Sequence, residues 1–280
     1  MTGFKILKSA LASWVPPAIM RPGSRLWRRM NGLGWYNLYG CWPSFTDVPV
    51  TPSNADRDPW AESIGPGWWA AVKAAPAAPA IDSGQTILPL LASQFAGPFT
   101  VCDFGGGAAV GLANMIRYGR VDLTRLSYVL VETPAMSRAV RAELEAQSGR
   151  AFDDIPASLP GPLIVHASSS LQYMRDYPAT LARLAQLEPR YIILAQTPLT
   201  EAPTFACQIL NTPRRVMATW VFNRYELIDR LRALGFEQIF AADHNIPLTH
   251  GKAKGKTVIG SIVFAPARAG VGLSPNFAPS

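Results

Sequence analysis

The sequence predicts an α/β fold built on a mostly parallel, Rossmann-like sheet that ends in an antiparallel hairpin. Three observations predict it. The apolar run Phe99-Thr100-Val101-Cys102 leads into Asp103-Phe104-Gly105-Gly106-Gly107, and residues 108–118 follow with helical character. Strand, glycine turn and helix open a nucleotide-binding unit. Further apolar runs alternate with helix-forming segments as far as residue 234, which implies parallel strands joined by crossover helices. Finally, two strand-like runs, 236–241 and 257–264, close the body with no helix between them, so the chain returns antiparallel.

The elements follow in order. A helix over 85–95 leads into the first strand. Leu126-Ser127-Tyr128-Val129-Leu130-Val131 is the second strand and ends in Glu132. The stretch 136–147 is rich in helix formers, with Gly149 as its stop. Phe152-Asp153 marks a short third strand or its end. Pro162-Leu163-Ile164-Val165-His166-Ala167 is the fourth, the helix 178–187 follows, and Arg190-Tyr191-Ile192-Ile193-Leu194-Ala195 is the fifth. A helix over 225–234 is closed by Gly235. The segment 198–223 is long for a strand-to-helix link. With Phe205, Arg214, Arg215, Trp220 and Phe222, and Arg224 just beyond, it reads as a lid over an aromatic, sugar or anionic acceptor. The plainer reading packs Trp220 and Phe222 into the core.

The turn decides the ligand class. Its glycines let backbone approach a ligand closely, and the helix start offers N–H groups. A dinucleotide fingerprint wants Gly or Ala at its third place, where Val110 stands. Asp103, two residues before the first glycine, puts a carboxylate at the strand's carboxyl end. A carboxylate there repels a pyrophosphate and suits a cationic ligand such as S-adenosylmethionine, whose ammonium and sulfonium are both positive. Glu132, at the tip of the second strand, is placed to accept both ribose hydroxyls. The plain alternatives are a glycine turn with a capping Asp and a solvated strand-end Glu. Asp153 reads either as acceptor of the adenine amino group or as a solvated turn acid. Ser168, with Ser169 and Ser170, either bonds the methionine end or caps the helix after it. The expected cofactor-binding set is therefore Asp103, Phe104, Gly105, Gly106, Gly107, Glu132, Asp153 and Ser168.

These features resemble a class I S-adenosylmethionine-dependent methyltransferase. More narrowly, the chain resembles an uncharacterised bacterial family of methyltransferase-like proteins. That family is marked by an F-G-G-G turn, a V-E-x-P strand end, an A-S-S-x-L-Q-Y segment and a T-P after the next strand. Here they stand as Phe104-Gly105-Gly106-Gly107, Val131-Glu132-Thr133-Pro134, Ala167-Ser168-Ser169-Ser170-Leu171-Gln172-Tyr173 and Gln196-Thr197-Pro198. The match covers about residues 99–265. The family's upstream G-x-Y-x-S-W element is only partly present, as Gly40-Cys41-Trp42-Pro43-Ser44-Phe45. The resemblance implies a class I methyltransferase sheet and S-adenosyl-L-methionine as cofactor, and it implies no substrate.

Charge divides the chain. Of 26 Lys and Arg, six precede Asp47, the first acidic residue; the 20 that remain nearly balance 19 Asp and Glu. The basic character belongs to an arm over 1–46, interleaved with Trp14, Trp27 and aliphatics. Such a segment suits an interfacial role. Residues 1–30 are thus expected to hold an anionic membrane surface, the alternative being a helical extension packed on the body. Residues 47–84 read as a Pro/Trp-rich connector or cover, 85–268 as the α/β domain and 269–280 as a flexible tail. No apolar run nears the roughly 20 residues that span a bilayer. Lys8 and Pro16-Pro17 interrupt any signal-peptide core, so a cytoplasmic and optionally membrane-associated protein is expected. Cys41, Cys102 and Cys207 form no metal or disulfide pattern.

Methyl transfer from an activated sulfonium needs alignment above all, and a hydroxyl acceptor also gains from a general base. His166 and Tyr173 are the nearest candidates, although a histidine inside a strand is more often a satisfied core residue. No D/N-P-P-Y-type tetrapeptide follows the fourth strand, which argues against exocyclic base amines. The expected function is O-methylation of a small molecule or glycan. A binding protein on the same fold without turnover, and a nucleic-acid methyltransferase, are the alternatives; the near-neutral body lacks the broad basic footprint of the latter.

Overall fold

The structure, a computed structural model, describes residues 37–50, 61, 83–118, 121–212, 215–244, 249–250 and 257–267. Strand β2 (Phe99–Phe104) lies at the centre of the sheet, with β3 (Leu126–Val131) and β4 (Gly149–Phe152) to one side. Strands β5 (Leu163–Ser168) and β6 (Tyr191–Thr200) lie to the other, and all five run parallel. Strand β11 (Thr257–Pro266) is inserted antiparallel between β6 and β9 (Phe236–His244). The order β4-β3-β2-β5-β6-β11-β9 is the mostly parallel sheet with a C-terminal antiparallel hairpin that the sequence predicts.

Parallel strands are covered on both faces, so they read as continuous apolar runs. Alternate residues go to opposite sides. Val101, Tyr128, Leu130, Ile164 and Ile193 meet Ile87 and Leu88 of α1 (Ser83–Ala92), Leu112 and Met115 of α2 (Val110–Tyr118), and Val140 and Leu144 of α3 (Pro134–Glu145). Cys102, Val129, Val165 and Leu194 meet Leu181 and Leu184 of α4 (Tyr177–Ala185), and Leu227 and Leu231 of α5 (Arg224–Ala233). Helix starts are capped where the sequence offers a cap. Thr133 accepts from Met136 N, Asp176 from Ala179 N, and Asn223 from both Tyr225 N and Glu226 N.

Two expectations are corrected. The segment 198–223 is not a lid. Strand β6 runs on to Thr200, and β7 (Phe205–Thr212) and β8 (Arg215–Asn223) form an antiparallel hairpin whose last residues lie parallel beside the end of β6. Phe205, Cys207 and Ile209 alternate inward on β7, against Leu38 and Val221. Trp220 packs on Phe45 and edge-on to Tyr177, and its indole N–H donates to Met174 O at 3.0 Å. Gly149 is not a helix stop either. Helix α3 ends at Glu145, Ser148 takes the left-handed turn, and Gly149 opens β4 where a side chain would strike Leu144.

The sheet also reaches into the segment read as an arm. Strand β1 (Asn37–Trp42) pairs antiparallel with β7, and the short β10 (Thr249–His250) pairs parallel with β1. Residues 1–36, most of 51–82 and 268–280 lie outside the described residues, and with them the membrane-surface expectation for 1–30. Among the described residues, no helix is long and apolar enough to cross a membrane.

Candidate functional site

The glycine turn sits where β2 ends, at the crevice between β2 and β5 where the strand order reverses. In open α/β sheets ligands bind outside the carboxyl ends of the strands at such a point. The turn is held from three sides. Gly105 N donates to Val131 O at 2.8 Å, joining the turn to β3. Ser170 Oγ donates to Phe104 O at 2.7 Å, joining it to the loop after β5. Gly107 N donates to Glu132 Oε1 at 3.0 Å, so the acid at the tip of β3 reaches the turn itself. Gly105 and Gly107 have φ of +64° and +56°, which favours glycine. A Cβ on Gly105 would also lie under 3.0 Å from Ser170 Cβ.

Asp103 is where the structure departs most from expectation. Its carboxylate does not project from the strand tip; it is wholly buried beneath the turn. Tyr128 donates its hydroxyl to Oδ2, and His166 Nδ1 lies 2.7 Å from Oδ1. Asp103 and His166 are register partners on β2 and β5, which brings their side chains to the same face. Leu112 N, in the first turn of α2, donates to the Tyr128 hydroxyl at 3.3 Å. A chain of donors therefore runs from the helix start through Tyr128 to the buried anion. Burial, and then the neighbouring Asp103 charge, push the Tyr128 phenol well above its ordinary range, so it remains a donor. A Cβ on Gly106 or Gly111 would come within 3.0 Å of an Asp103 carboxylate oxygen. These two glycines let the turn and the helix close over the acid.

The other predicted residues fall into two groups. Glu132 is half-buried and also accepts from Thr133 N at 2.7 Å. Phe104 ends β2, and Ser168 ends β5 half-buried beside Ala195. Asp103, Phe104, Gly105, Gly106, Gly107, Glu132, His166 and Ser168 thus converge on the carboxyl ends of β2, β3 and β5. Asp153 is exposed, one residue past β4. Tyr173 is turned aside; it packs half-buried on the cluster of Leu38, Phe205, Ile209 and Val221. Of the serines, Ser170 precedes a short 3-10 turn but makes no side-chain cap there; its hydroxyl serves the glycine turn instead. Ser169 takes φ +53° and accepts from Gln172 Nε2 at 2.9 Å.

Sequence reading passed over Tyr128. A tyrosine at an inward position of an otherwise aliphatic strand needs a hydroxyl partner, and that was the available signal. Another polar group lies along the β6–β11 edge. Gln196 takes φ +50°, its N–H donates to Ser261 Oγ at 3.3 Å, and His244 Nε2 lies 2.7 Å from the same hydroxyl.

No family model matches the chain, and no curated protein matches it. Solved structures do. A Burkholderia thailandensis 1,6-didemethyltoxoflavin-N1-methyltransferase, with bound 1,6-didemethyltoxoflavin and S-adenosylhomocysteine, is 18% identical over 66% of this chain and 77% of its own, at a TM-score of 0.43. The YcgJ protein of Bacillus subtilis is 12% identical over 67% and 99% of the two chains, at 0.45. A S-adenosylmethionine-dependent methyltransferase from Clostridium acetobutylicum is 8% identical over 67% and 93%, at 0.44. At such identities the reading of the site rests on this chain's own residues.

Proposed function

We propose that this protein is an S-adenosylmethionine-dependent methyltransferase that methylates a hydroxyl of a small molecule or glycan. The observation that carries the reading is the bond from Gly107 N–H to the Glu132 carboxylate. A dinucleotide site uses its turn N–H groups for a pyrophosphate. Here a carboxylate already occupies one of them, and a second carboxylate lies buried directly under the turn. Two negative charges at this point oppose a pyrophosphate and favour a ligand that brings positive charge.

The residues fit such a ligand. The positive-φ glycines bring backbone to the mouth of the crevice without side chains. Glu132, the carboxylate at the tip of β3, is assigned to the ribose hydroxyls. Ser168, at the end of β5, is assigned to the amino-acid end, and Asp153, one residue past β4, to the adenine amino group. When bound, the sulfonium supplies a methyl group already activated for attack. His166 is held by Asp103 beneath the turn and Tyr173 packs away on the cluster of Leu38, Phe205, Ile209 and Val221, so alignment rather than a general base carries the transfer. The sequence resemblance supports the same cofactor.

A native mass spectrum of the purified chain tests the reading. The expected adduct is S-adenosylmethionine or S-adenosylhomocysteine. An NAD or FAD adduct would overturn it.

A further inference from the structure

The buried acid and the cationic ligand are separated by the histidine. Asp103 has no exposure and both its oxygens are engaged, so it does not itself reach a ligand above the turn. His166 is 5% exposed, and its second ring nitrogen, Nε2, is buried with no hydrogen-bond partner. With Nδ1–H given to the carboxylate, a neutral ring leaves Nε2 as an acceptor. The Nε2 lone pair therefore wants a donor. His166 lies on β5 in register with Asp103 on β2, the two strands that border the crevice.

We infer that His166 transmits the Asp103 charge to the ligand, with Nε2 accepting a hydrogen bond from the ammonium of the S-adenosyl amino acid. This rests on the proposed function and adds a named contact to it. The ring is fixed by a bond to a carboxylate that is itself fixed by Tyr128, so the lone pair is held in one direction before the ligand arrives. The unpaired nitrogen costs the free protein a buried acceptor, and the cost is relieved only by a ligand that carries the donor. Such an arrangement selects the amino-acid end of the cofactor rather than its nucleoside.

Two ligands separate these parts. S-adenosylhomocysteine carries the ammonium; 5′-methylthioadenosine has the same adenosine and thioether without it. His166→Asn keeps a donor near the Nδ1 position for Asp103 and removes Nε2. By calorimetry on the full chain, the variant should bind S-adenosylhomocysteine about ten- to a hundredfold more weakly, as expected for a lost bond to a charged group. Its affinity for methylthioadenosine should stay within about twofold of the wild type, since no charged bond is lost there. Equal weakening of both ligands would make Nε2 a structural atom served by buried water, and unchanged binding of both would remove it from the site; either overturns the inference.

A measurement on the wild type stands independently of whether the variant folds. The chain has three histidines, so ring-15N labelling gives an assignable spectrum. The His166 Nε2 resonance should move when S-adenosylhomocysteine is added and stay in place with methylthioadenosine. A resonance indifferent to both overturns the inference while leaving the proposed function standing. A wild-type chain that binds neither ligand overturns the proposed function, and this inference with it.

Discussion

Replacing Gly106 with alanine probes the anchor beneath the turn. The added Cβ would lie under 3.0 Å from all three atoms of the Asp103 carboxylate group. The acid cannot retreat without loosening its bonds to Tyr128 and His166. The turn cannot lift without loosening Gly105 N–H from Val131 O and Phe104 O from Ser170. Hydrogen bonds to a charged group contribute about 1.5–3 kcal/mol each, and stripping a buried charge of its partner costs about 3–5 kcal/mol. The neighbouring Gly107 is an internal control. It has φ +56°, but its Cβ would meet nothing within 4 Å, so alanine there carries only the left-handed backbone penalty of about 1–2 kcal/mol. Urea unfolding without ligand should therefore rank Gly106→Ala at least about 1 kcal/mol below Gly107→Ala, the smallest difference between those two costs. Equal stability of the two variants would refute the buried anchor.

Further outcomes follow from the same geometry. Glu132→Gln keeps an acceptor but removes the charge at the turn; it should weaken S-adenosylhomocysteine about tenfold or more by calorimetry, and unchanged affinity would remove Glu132 from the site. In alkali the sign is set by groups whose folded pKa is raised. Burial, then the Asp103 charge, push Cys102 up from 9.0 to about 12, and Tyr128 moves the same way. The stability they confer is complete below about pH 9 and is lost as pH rises toward 12. Cys102→Ala should flatten that fall, measured as unfolding free energy against pH; an unaltered slope would contradict it. Deleting residues 1–30 should abolish salt-sensitive sedimentation with anionic liposomes, since each basic residue near such a surface contributes about 1 kcal/mol, and should leave cofactor affinity intact. Truncated protein that still sediments would place the affinity in the body.

Periodicity made the body legible. Strands β2, β3, β5 and the first half of β6 are apolar runs, as buried parallel strands must be, whereas the edge strand β4, Gly149–Phe152, carries an exposed Arg150 and showed only its last residue. The turn was legible because glycine at positive φ has few substitutes. The β7–β8 hairpin was hidden because Pro203 and Pro213 break its run and Thr, Gln and Asn dilute the alternation; tertiary pairing with β1 supplies what local preference does not. The direction of Asp103 was hidden for a different reason. Strand position says that a carboxylate lies near a strand end, but the face it takes depends on Tyr128 and His166, 25 and 63 residues away. Only register brings those three together.

If two carboxylates at this turn select a cationic S-adenosyl ligand, a dinucleotide must fail where that ligand binds. Parallel calorimetric titrations of the full chain with S-adenosylhomocysteine and with NAD test it most directly. Saturable one-to-one binding of S-adenosylhomocysteine with no heat from NAD is the predicted result. Saturable NAD binding with no response to S-adenosylhomocysteine would contradict it.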